Sequence, residues 1–148
     1  VVVMQQGPST LPSSGDHLRQ WTGTWADRIR ANGARPGLYV VWPPLGGEID
    51  NGIFHYESAA NAHQTAIYPV GHAFRALLAS HPDLPIRDPD QFHPSVHGAW
   101  LAAMIIAAAI YDADPTTFGA PFSRDINETD AAILRQAAKD AVDRYGRP

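Results

Sequence analysis

The sequence predicts a parallel, doubly wound α/β domain, and three observations predict it. Short β-branched or apolar runs alternate with segments of helical period. Gly and Pro clusters punctuate most of the junctions. The longest apolar stretch, residues 99–111, has the length and the Ala/Ile content of a buried helix, and is short of the ~20 residues a bilayer span needs.

Taken in order, residues 1–5 form a first strand, expected to be buried on both faces as in parallel sheets. Gly7-Pro8-Ser9 and Pro12-Ser13-Ser14-Gly15 follow as loops. A helix is expected over residues 16–32, with Leu18, Trp21, Trp25 and Ile29 on its core face, a Ser13/Asp16 capping box and Gly33 as its stop. Residues 38–42 make the second strand, ended by Pro43-Pro44. The Gly-rich residues 45–52 read as a flexible loop after a strand's C-terminal end, where open α/β sheets place their sites. A helix at 56–63, a strand at 65–70 and a helix at 73–80 come next. Residues 82–93 form a long Pro-rich connection into an apolar helix at 95–112, stopped by Asp114-Pro115. The last helix, 127–145, is amphipathic: Ala131, Leu134, Ala138, Ala141 and Tyr145 share a face and Asn127 is the N-cap.

With 148 residues, no internal repeat and no linker, the chain reads as a single domain over 1–148. Its net charge of -4 and dispersed 11 Lys+Arg argue against nucleic acid or an anionic membrane as partner. The absence of cysteine excludes disulfides, thiolate catalysis and thiolate metal sites, and leaves the compartment undetermined.

The chemistry concentrates in Asp90-Gln91-Phe92-His93-Pro94-Ser95, with Gly98 three residues on. A histidine works as a general base when a carboxylate holds its other ring nitrogen in the right tautomer. Asp90 and His93 can supply that pair from one turn of chain, and Pro94, taken as the first helical residue, would set the histidine at the helix mouth. Asp88, five residues from His93, is expected to cap the turn.

The segment running from Asp90 through His93, Pro94, Ser95, Gly98 and Trp100 to Ala103 resembles the C-terminal block of SGNH hydrolases, the GDSL-type esterases and lipases. Val2-Val3-Met4-Gln5-Gln6-Gly7-Pro8-Ser9 resembles the third-block strand of that family, in the Gln-Gly-x-Ser form of its carbohydrate acetylesterase branches. The resemblance runs over 1–118; residues 119–148 are a helical extension without a family motif. It implies the flavodoxin-like, three-layer SGNH fold, with His93 as the base and Asp90 as its orienting carboxylate. Gln6, or Gln5 in the neighbouring register, would be the oxyanion donor beside Gly7. It implies a carboxylic ester substrate, small-molecule or carbohydrate and with acetyl as a natural acyl group, and no cofactor. The family's Gly-Asp-Ser nucleophile block and second-block Gly are absent, as is any Gly-x-Ser-x-Gly elbow. The expectation is an N-terminally truncated sequence lacking its first strands, inactive by itself, with residues 1–5 paired to 38–42 on one side and open on the other.

Each feature also has a plainer role. Asp90-x-x-His93 can be a loop-to-helix cap, and Gln5-Gln6-Gly7 a polar strand exit. Ser9, Ser13 and Ser14 suit turn and cap chemistry, since none sits on a strained elbow. His93 and His97 have a metal-compatible spacing of four, but no Glu follows His93 and Pro94 interrupts the helix face. Trp21 and Trp25 are expected in the core. Trp42 serves either the core or substrate contact. Asn127-Glu128-Thr129 reads as a helix cap rather than a glycan acceptor. A non-catalytic SGNH-like module that binds glycans or protein is the alternative to the esterase.

Overall fold

A computed structural model describes residues 1–119, 121 and 123–146. Three short strands, β1 (Val2–Met4), β2 (Pro36–Tyr39) and β3 (Ala66–Tyr68), form one parallel sheet in the order β1-β2-β3. Five α-helices surround it: α1 (Pro12–Ala31), α2 (Ile49–His63), α3 (Val70–Ser80), α4 (Val96–Tyr111) and α5 (Glu128–Tyr145), with a 3-10 turn at Pro115–Thr117.

Consecutive parallel strands joined by right-handed crossovers put their connecting helices on one face. Accordingly α1 and α2 pack on each other and, with Leu38, Val40 and Ile67, bury Leu18, Ile53, Tyr56, Ala59 and Ala60. A second cluster gathers α3, α4 and α5 around Phe74, Leu101, Ile105 and Leu134. The extension after residue 118 is thus part of the main core, its α5 contributing Ala131, Leu134, Ala138 and Ala141. The expected reversal of winding does not occur among the described strands, because none lies beyond β1.

β1 pairs with β2 alone among the described residues. Its burial was expected on both faces and is not found: Val2 and Val3 are 41% and 40% exposed, β2 flanking them on one side only. Trp21 and Trp25 also depart from expectation, at 54% and 49% exposed. The buried stripe of α1 is Leu18, Thr22, Ala26 and Ile29. Small residues decide this: α1 approaches α2 so closely that a Cβ at Gly15 would collide with His55, and one at Gly23 with His63. The two indoles are rotated away from α2, toward the open β1 edge, where they flank Met4 and Leu38 around a cavity of about 240 Å³.

Helix starts shifted where packing outvoted local signals. α1 begins at Pro12, whose missing N–H costs nothing in the first turn, so Ser13 and Asp16 lie inside the helix and form no capping box. α2 begins seven residues before the expected 56, taking in part of the Gly-rich loop, because Ile49, Ile53, Tyr56 and Ala60 keep helical period across Gly52. β2 begins at Pro36 and ends at Tyr39; Gly37 is needed where the Tyr68 ring crosses it. α3 starts at Val70, directly after β3. α4 and α5 fall where expected, capped by Ser95 and Asn127. No described helix is long and apolar enough to cross a membrane.

Candidate active site

Residues 86–95 fold back on themselves as a small hairpin-like loop. Ser95 N–H donates to Ile86 O, Asp88 N–H donates to His93 O, and Gln91 N–H donates to Asp88 O. Asp88 thus holds the turn through its backbone, not as a side-chain cap. Gln91 at the tip has φ 59°, a left-handed conformation uncommon for a residue with a Cβ. Three bonds tie this loop to the chain after β2: Trp42 Nε1–H to Phe92 O at 2.9 Å, Leu45 N–H to Gln91 O at 3.1 Å and Arg87 Nη2–H to Pro43 O at 3.1 Å.

The tip carries the dyad. Asp90 Oδ2 lies 2.6 Å from His93 Nδ1, while Oδ1 accepts the backbone N–H groups of Phe92 and His93 at 2.9 Å each. The hydrogen bond from His93, then those two amides, hold the Asp90 carboxyl down at about 2. The carboxylate therefore orients the ring and caps the turn at once, which is the geometry that the catalytic and the plainer reading each require. Nδ1 is committed to Asp90, and no hydrogen bond among the described residues uses Nε2. Both side chains are open to solvent, 65% and 50%.

Pro94 is not the first helical residue. Ser95 is the N-cap of α4, its Oγ accepting from His97 N–H and Gly98 N–H and donating to Pro85 O. Pro94 lies one residue earlier and bridges to Arg87. Gly98 is required by close approach: a Cβ there would meet the Ile86 carbonyl oxygen, with Phe74 Cζ at 2.8 Å.

His93 lines a cavity of about 260 Å³ just past the C-terminal ends of β1 and β2, the usual site position in parallel α/β sheets. Its walls are residues 5–8 after β1, Tyr39 with Val41 and Trp42 at the end of β2, and residues 92–94. Gln5, Gln6, Gly7 and Trp42 are thus brought together with His93, as expected; Asp90 stands behind the histidine. Trp42 packs in the core and also borders the cavity. It is 5% exposed, stacks on Phe74 at 3.6 Å between centroids, and presents one edge to the cavity.

Gln6 is engaged elsewhere. Its Nε2 donates to Ser14 O at 2.8 Å, its N–H donates to Tyr56 Oη, and Tyr56 Oη–H donates to Gln6 O, both at 2.9 Å. The second Nε2 hydrogen remains for a ligand. The Gln5 side chain and the Gly7 N–H take part in no hydrogen bond among the described residues. Ser14 Oγ donates to Ser9 Oγ at 2.7 Å, at the start of α1, and neither lines the cavity. His93 and His97 take separate partners: His97 is buried and its Nε2 meets Asp130 of α5 at 3.2 Å. Among the described residues no three His, Asp or Glu side chains gather as a metal site.

Sequence reasoning missed Tyr39, the one hydroxyl-bearing side chain among the cavity's described walls. Alternation along β2 was its only signal. A larger cavity, about 550 Å³, lies between α3 and α5 and shares no lining residue with the His93 cavity. Its Arg75 is tied to Asp50 at 2.6 Å, and His72 is bonded to Glu57 and stacked on Tyr145.

No protein-family model and no curated protein matches the chain. Among solved structures, the chain is similar to a DUF4886 family protein from Bacteroides uniformis, with a TM-score of 0.77 and 16% sequence identity. The likeness covers 96% of this chain and 62% of that one, so the chain spans less than two thirds of its neighbour's length. At that identity it shows a shared α/β fold and assigns no activity.

Proposed function

We propose that this chain is the C-terminal part of an SGNH-type ester hydrolase in which His93 is the general base and Asp90 its orienting carboxylate. One observation carries the reading: Asp90 holds His93 by Nδ1 at 2.6 Å and leaves Nε2 unbonded at a cavity past the strand ends. The nucleophile would be a serine on a further segment, as the described walls hold no serine, threonine or cysteine. The open β1 edge is where the strands of a three-layer, doubly wound sheet would add.

In the completed site the serine attacks the acyl carbon while His93 Nε2 takes its proton, and Asp90 stabilises the imidazolium. The oxyanion would be received by backbone amides, with Gly7 N–H and the spare Nε2 hydrogen of Gln6 available. His93 then protonates the departing alkoxide, and water releases the acyl group through the same histidine. Donors of this kind contribute about 2.7–4 kcal/mol in the transition state.

The absence of a nucleophile from the described walls also favours a second reading, a non-catalytic module of the same fold that binds glycans or protein. The test is hydrolysis of a short-chain aryl acetate by this chain and by the product of the complete reading frame, each also as His93→Ala. We expect turnover only from the complete product, nearly abolished by the substitution. Equal turnover with and without His93 would rule out the dyad as catalyst. A reading frame without a Gly-Asp-Ser block, and no turnover, would leave the binding module.

A further inference from the structure

Tyr39 closes β2, and its ring packs edge-on to Trp42, with centroids 6.5 Å apart, in the wall of the His93 cavity. Its hydroxyl takes no hydrogen bond among the described residues. The contrast with Tyr56 is informative, because Tyr56 Oη is used twice by the Gln6 backbone. The Tyr39 hydroxyl is not among the fully buried polar atoms that lack a partner, so it stays open to the cavity and available to a ligand. Burial also pushes the Tyr39 phenol up to about 12, which keeps it a neutral donor wherever an imidazole base operates.

The rest of the wall has a consistent character. Pro8, Val41, Trp42, Phe92 and Pro94 are apolar, and no Lys, Arg, Asp or Glu lines the cavity. Only His93 among the described walls could face a carboxylate with positive charge, and the Asp90 carboxylate already bonded to it would repel that anion. At about 260 Å³ the space is smaller than the ~300–1,000 Å³ of sites for drug-sized ligands.

We propose that Tyr39 is a further donor of this cavity, its phenol joining Gly7 N–H and the spare Gln6 Nε2 hydrogen on the carbonyl oxygen of a short, uncharged acyl group, while the small apolar walls reject acyl chains that are charged or long. The proposal rests on the reading of the cavity as the acyl site and deepens it, but it does not require this chain to turn substrate over.

Binding can be read without turnover on the 148-residue chain, using amides that mimic aryl esters and resist hydrolysis. The probes are N-phenylacetamide, N-phenylsuccinamic acid and N-phenyloctanamide, titrated while backbone amide NMR shifts are followed. N-phenylacetamide should give saturable shifts at residues 5–7 and 92–93. Tyr39→Phe should weaken it about fivefold, the worth of one neutral hydrogen bond, and leave the melting temperature unchanged because that hydroxyl supports nothing in the fold. The acid and the octanamide should each bind at least about tenfold more weakly. Equal affinity in Tyr39→Phe, equal affinity for the acid or the octanamide, or no saturable shift at these residues would overturn the proposal. An unaffected His93→Ala hydrolysis rate in the complete product would end the esterase reading and leave this binding result standing, so the two failures can be told apart.

Discussion

At Asp90 one carboxylate serves three hydrogen bonds, and each of them favours its ionised form. Its pKa in the folded chain, about 2, lies below the ordinary carboxylate value. A depressed carboxylate stabilises the fold above its unfolded pKa and loses that contribution as pH falls through the folded one. The dyad should therefore stay assembled down to roughly pH 4 and come apart between about pH 4 and pH 2. A carboxyl-carbon NMR titration should give Asp90 a midpoint near 2, and His93→Ala should raise it, since the bond from His93 is the largest cause of the depression. An ordinary midpoint in the wild-type chain would contradict the geometry. This pair was legible in the sequence because its contact is local: three residues separate the partners, and the turn between them closes on Asp90 itself. Tyr39 was not legible, because its importance depends on residues 5–8 and 92–94 arriving beside it from elsewhere in the chain.

Among the elements, the loop over 86–95 matters most, since it presents the histidine through contacts outside itself. Trp42→Phe keeps the stack on Phe74 and deletes the indole N–H to Phe92 O. It should cost about 1 kcal/mol in denaturant unfolding and shift the amide resonances of residues 90–93. Gly98→Ala acts from the other side of the loop, driving a methyl into the Ile86 carbonyl, the group that also accepts from Ser95 N–H. Overpacking there should destabilise the chain by about 1–3 kcal/mol and displace the His93 loop, both read by unfolding and by the same resonances. A Gly98→Ala variant as stable as wild type would mean that α4 can slide away from the loop. Helix α5 could be bounded from sequence because Asn127 caps it locally, whereas α4 opens two residues after the Pro94 expected to begin it, with Ser95 as its cap. The outward turn of Trp21 and Trp25 was set by the contacts of Gly15 with His55 and of Gly23 with His63, each 40 residues apart in sequence, for which periodicity carries no signal.

Over the whole molecule, the two faces of the sheet are clothed and one edge is not. β1 offers its unpaired backbone groups beside exposed Val2 and Val3, with Trp21 and Trp25 overhanging the same edge. Exposed apolar edge strands invite further strands, and nothing in β1 resists this: it contains no Lys, no Pro and no bulge. The expected consequence for the 148-residue chain is concentration-dependent self-association through β1, visible by sedimentation velocity. Val3→Lys should suppress it without lowering stability much, because Val3 is 40% exposed and a charge at an edge blocks pairing at little cost to the fold. The complete reading-frame product should be free of this association if additional strands occupy the edge, and Val3→Lys should then be strongly destabilising in that context, since it would put an unpaired ammonium on a face of a central strand that the added layers cover. The substitution therefore reports on the sheet in both settings. A chain that stays monomeric at all concentrations, together with a Val3→Lys complete product as stable as its parent, would show that β1 is a true outer edge, and the argument for a nucleophile-bearing strand beside it would fall.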